Sequence, residues 1–78
     1  MRVLVVLYHV GDELARIMER AGVPGPQVAQ WCADWEDAVS GCTNMKALGW
    51  LRYADSLTRL IGRYHTSLDA QQVSNEVD

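Results

Sequence analysis

ELARIMERAGVPGPQVAQWCADW, residues 13–35, carries the turn that sets the architecture of this 78-residue chain. Before the turn, Leu14, Ile17 and Ala21 continue an apolar row that begins with Val3, Leu7 and Val10; after it, Val28, Trp31, Trp35, Ala38 and Cys42 form a second row. Steps of three and four place each row on one stripe of a helix. Between the rows, Gly22 can adopt the left-handed conformation that ends a helix, and Pro24 and Pro26 prevent simple continuation. Pro26 suits the first turn of the next helix, where its missing N–H goes unused, so a second helix is predicted over Gln27–Val39.

Working outward, Ser40-Gly41-Cys42-Thr43-Asn44 reads as a second break, with Thr43 or Asn44 able to cap a third helix. Ala47, Trp50, Ala54, Leu57, Ile61 and Tyr64 give that helix its stripe, and it is predicted to run to about Ser67. Residues 69–78 are polar and acidic without a period, which predicts a flexible tail after a single helical domain over residues 1–68. Three stripes with no pair of strands must be covered by packing helix on helix, so the fold class is all-α, a helical hairpin plus a long third helix. The run Val3–Tyr8 admits one alternative, a strand paired with its counterpart across a homodimer, since a lone strand would leave backbone groups unpaired.

Hydrophobic residues make up 49% of the chain, which is globular and excludes a disordered composition. A core of this size leaves a thin margin over conformational entropy, so further burial is expected from elsewhere. The third helix points to where: Leu48, Leu51, Tyr53 and Leu60 lie off its main stripe and widen the apolar arc, predicting a second face that meets another chain, a second copy in a homodimer or a protein ligand, the alternative being a central helix buried all round in a tight monomer. The run Met1–Val10 is too short to span a membrane. Because Asp12 and Glu13 follow it without a small-residue cleavage pattern, the protein is expected in the cytoplasm with Cys32 and Cys42 as reduced thiols.

The net charge of -3 hides an uneven distribution. Residues 45–66 hold Lys46, Arg52, Arg59 and Arg63 against Asp55 alone, whereas the chain on either side is acidic. Arg52, Arg59 and Arg63 fall on one face of the third helix beside Trp50 and Tyr53, and arginine and aromatic residues are the usual anchors of protein interfaces. The predicted partner-binding set is therefore Leu48, Leu51, Arg52, Tyr53, Arg59, Leu60 and Arg63. Left to themselves, the arginines would pair with Glu36, Asp37 or the acidic tail as a solvated face.

Gly22, Val23, Val28 and Trp31 also occupy the places that seat the second helix of a helix-turn-helix on the first, and the span Glu13–Cys32 resembles that motif. Such a resemblance implies a small DNA-binding regulator with Gln27, Ala29, Gln30, Ala33 and Asp34 outward. The likeness departs at Met18, where close packing favours a small residue, and at Pro24-Gly25-Pro26, which replaces a polar helix start. No Lys or Arg lies among the outward positions, although groove reading rests on basic phosphate contacts. His9, Cys32, Cys42 and His65 lack the paired spacing of a structural zinc site, and no cofactor is implied. No nucleophile and base can be paired from the sequence. The resulting expectation is a non-enzymatic protein-interaction module, of the inhibitor or adaptor kind that phages and mobile elements encode, with the DNA-binding regulator as the alternative.

Overall fold

Helix α1, Arg2–Ala21, ends where the sequence predicts, and the reason is visible in its last hydrogen bonds. Gly22 takes φ 94°, its N–H donates to the Glu19 carbonyl at 3.1 Å, and the Val23 N–H donates to the Met18 carbonyl at 3.0 Å. That pair of bonds is a Schellman cap, and Met18 and Val23, both buried, supply the apolar contact that accompanies it. The Pro24 carbonyl then accepts from the Gln27 and Val28 N–H groups at 3.0 and 3.2 Å, which opens helix α2, Gly25–Thr43. Helix α3 follows as Ala47–Val77. The computed structural model describes residues 2–43 and 47–77, with side chains described over residues 5–41 and 53–76.

The three helices form an elongated bundle of 49 × 18 × 18 Å. Helix α2 runs antiparallel to its neighbours: Asp34 meets Arg63 while Gly41, further along α2, meets the earlier residue Tyr53. Helix α3 is therefore parallel to α1, and its Gln71 side chain lies beside Gly22. Among the described residues there is no strand, and no helix is long and apolar enough to cross a membrane.

The core is centred on α2, whose Trp31 and Trp35 stack with ring centroids 5.1 Å apart and planes 17° from parallel. One turn apart on the same helix, the two indoles reach in different directions. Trp35 Nε1 donates to the Leu7 carbonyl of α1 and Trp31 Nε1 donates to the Leu60 carbonyl of α3, each at 2.8 Å. A buried indole N–H needs such an acceptor, so burial and hydrogen bonding both tie α2 to its two neighbours. The approach of Trp35 depends on Gly11, since a Cβ there would overlap the indole ring. Tyr64 closes the cluster with its ring 6.4 Å from Trp31.

Several boundaries and faces differ from the sequence expectation. Residues 3–8 are the first turns of α1, so the alternative of a strand does not hold. Helix α2 continues through Ser40-Gly41 to Thr43 instead of stopping near Val39, with the Tyr53 ring seated against Gly41 where a side chain would collide with it. Helix α3 continues to Val77, so residues 69–77 are helical and not an irregular tail. Leu60, expected on a partner-binding face, lies in the chain's own core at 5% exposure because α3 turns it toward α2. Ile61 and Ala54, expected inside, are exposed.

Candidate functional site

Between helices α2 and α3 lies an open groove of about 520 Å³, lined by Asp34, Asp37 and Ala38 from α2 and by Tyr53, Ser56, Arg59, Leu60 and Arg63 from α3. Antiparallel packing produces this grouping, because it places residues from the first half of α3 against the second half of α2. Positions 53, 56, 60 and 63 recur at steps of three and four, so they present one side of α3 to α2. Leu60 forms the apolar floor, with Ala38 across from it.

The polar rim is ordered by Asp34. Its Oδ2 accepts from Arg63 Nη1 at 2.7 Å, and its Oδ1 accepts from Gln30 Nε2 at 2.9 Å, one turn earlier on α2. Donation by Arg63, and then by Gln30, holds the Asp34 carboxyl below its ordinary pKa. The carboxylate is thus ionised at neutral pH and fixes the Arg63 guanidinium across the groove. Arg59 behaves differently. Among the described residues it pairs only with Asp55 of its own helix, at 3.0 Å, and its side chain remains 80% exposed. An exposed i,i+4 pair of this kind is weak, so Arg59 can exchange Asp55 for an external acceptor at little cost.

Four of the seven predicted partner-binding residues, Tyr53, Arg59, Leu60 and Arg63, meet in this one groove, with Leu60 as its floor. Leu48, Leu51 and Arg52 lie outside the described side chains. The acidic partners differ from the expected Glu36, Asp37 or tail: Arg63 takes Asp34 and Arg59 takes Asp55. The spacing Gln30 to Asp34 was the available signal, since residues four apart on a helix can hydrogen-bond and leave the acid aimed at a neighbour.

Of the residues that the helix-turn-helix likeness rests on, Val23, Val28 and Trp31 are buried, and so is Met18, where the likeness departs. Gln27, Ala29, Gln30 and Ala33 are exposed on α2, but Gln30 is occupied with Asp34. Cys32 is a half-buried free thiol beside the Trp35 ring and Glu36. Burial first, then the charges of Glu36, Asp12 and Glu19, push its pKa up, so the thiol stays protonated at neutral pH and is a poor nucleophile. Among the described residues no group of three or more His, Cys, Asp or Glu side chains is placed to hold a metal ion.

No protein-family model matches the chain, no curated protein shows significant similarity to it, and no solved structure does so either.

Proposed function

We propose that the protein is a non-enzymatic interaction module that binds a protein target through the α2–α3 groove, acting as an inhibitor or adaptor. The observation that supports this reading is the convergence of Tyr53, Arg59 and Arg63 on one open groove with an apolar floor. An aromatic ring and guanidinium groups around a small apolar patch are the side chains that contribute most at protein interfaces. The groove is open to solvent, so it suits side chains presented by another protein surface better than an enclosed small molecule. Asp34 holds Arg63 in place before any partner arrives, which reduces the ordering cost of binding. Arg59 supplies an exposed cation for a carboxylate of the partner.

Affinity capture from a host lysate treated with nuclease, comparing the wild-type chain with Arg59→Ala, tests this reading. Retention of a specific protein by the wild type and its loss with Arg59→Ala is the expected result. Equal retention by both chains would remove the groove from the account, and capture that disappears on nuclease treatment would favour the DNA-binding regulator instead.

A further inference from the structure

On a different side of α3 from the groove, the contact between α1 and α3 is less complete than the contacts either helix makes with α2. Tyr8, Gly11 and Asp12 face α2, which turns the other flank of α1 toward α3. That flank carries Val6, Val10, Glu13 and Ile17 at steps of four, three and four, so they share one stripe. Val10 is half-buried against the core, while Val6 is 57% and Ile17 41% exposed. On α3, Ser56 and Arg63 face α2, and the opposite flank holds half-buried Leu57 and Leu68 with Ile61, 38% exposed, between them. The two flanks together make one strip along the bundle that is apolar except at Glu13, whose carboxylate is paired with Arg16 of its own helix at 2.7 Å, and it differs from the scattered single apolar residues that any surface carries.

We infer that this seam takes a second copy of the chain, arranged about a twofold axis parallel to the helices. The charges that border it favour a copy over a foreign helix. Gly22 lies beside Gln71, so Arg20 and Asp69, each two residues earlier, stand at the same height on the two flanks. Arg20 follows Ile17 by three residues, and Asp69 follows Ile61 by eight, so each borders the apolar strip on its own helix. Neither makes an ion pair among the described residues. An axis parallel to the helices sets α1 of each copy against the partner's α3 at equal height, so Arg20 meets the partner's Asp69, and the pairing occurs twice. The apolar strip supplies the attraction, and the two charge pairs fix the direction.

Sedimentation equilibrium over a series from low micromolar to submillimolar protein tests the inference. The mass is expected to rise from the 8.7 kDa chain toward twice that value. Ile61→Glu should weaken association by about tenfold or more while helical circular dichroism is retained. Arg20→Asp should also weaken it, and the double exchange Arg20→Asp with Asp69→Arg should restore it. A mass that stays at one chain throughout, association indifferent to Ile61→Glu, or a double exchange that fails to rescue the single change would each overturn the proposal.

Discussion

Helix α1 makes two contacts of opposite character, one sealed and one open. Toward α2 it offers Gly11, Ala15 and Met18, all buried, and the absence of a side chain at Gly11 lets the Trp35 ring lie against the helix and reach the Leu7 carbonyl. Toward α3 it offers Leu7, Val10 and Leu14, which are only half-buried, with Val6 and Ile17 left outside. Both flanks are apolar, so hydrophobicity alone does not decide which one closes. Shape does: a flat indole fits a smooth helix surface, while rows of branched side chains hold two helices apart and leave their outer edges wet.

The strongest way to break that difference is to put a side chain on the smooth surface. Gly11→Val should destabilise the fold by about 3 kcal/mol, because the added atoms overlap Trp35 and the core must shift to admit them. Urea unfolding followed by circular dichroism measures this, and a stability equal to wild type would mean that the indole does not lie against α1. A smaller loss, about 2 kcal/mol, is expected for Trp35→Phe, which removes the N–H donated to the Leu7 carbonyl and leaves space beside Trp31. Gly62→Ala sharpens the contrast from the other side. A Cβ at Gly62 meets nothing within 4 Å, so the change should stabilise α3 by about 0.5–1 kcal/mol through helix propensity. The same class of substitution thus has opposite signs on the sealed contact and on an open helix face.

The smallest effect belongs to the groove. The Asp34 carboxyl is held below its ordinary pKa in the folded chain by Arg63 and Gln30, so its contribution is present in full above the unfolded carboxylate value and is lost as pH falls through the folded one. The stability difference between wild type and Asp34→Asn should therefore be on the order of 0.5 kcal/mol at neutral pH and shrink below about pH 4. A difference that grows on acidification would contradict the pairing with Arg63.

The helical hairpin was legible because its signals are local. Gly22 and the two prolines mark the turn by backbone chemistry, and Val28, Trp31, Trp35 and Ala38 are all buried as their spacing predicts. On α1 and α3 the spacing identified helices but rotated their faces. The row Val3 to Ala21 ran one position away from the buried line Gly11, Ala15 and Met18, since Gly11 and Ala15 carry little hydrophobic weight although the Trp35 ring requires the bare surface at Gly11. On α3 the apolar arc is wider than the contact, so periodicity could not choose between Leu60, which is buried, and Ile61, which is exposed. The groove was half legible: Tyr53, Arg59 and Arg63 could be placed on one helix, but their partnership with Asp34 depends on the register of α2 against α3, which no single-helix pattern encodes. The length of α3 was missed because Asp69–Glu76 has no apolar period, and the described residues 72–76 are exposed on a helix that has passed the α1–α2 turn.

Backbone amide shifts recorded by NMR through a dilution series test the contrast between the sealed and open flanks of α1 most directly. The account predicts concentration-dependent shifts at Val6, Val10, Ile17, Ile61 and Leu68, with Gly11, Ala15 and Trp35 unchanged. Shifts centred on the α1–α2 contact, or none along the α1–α3 seam, would contradict it.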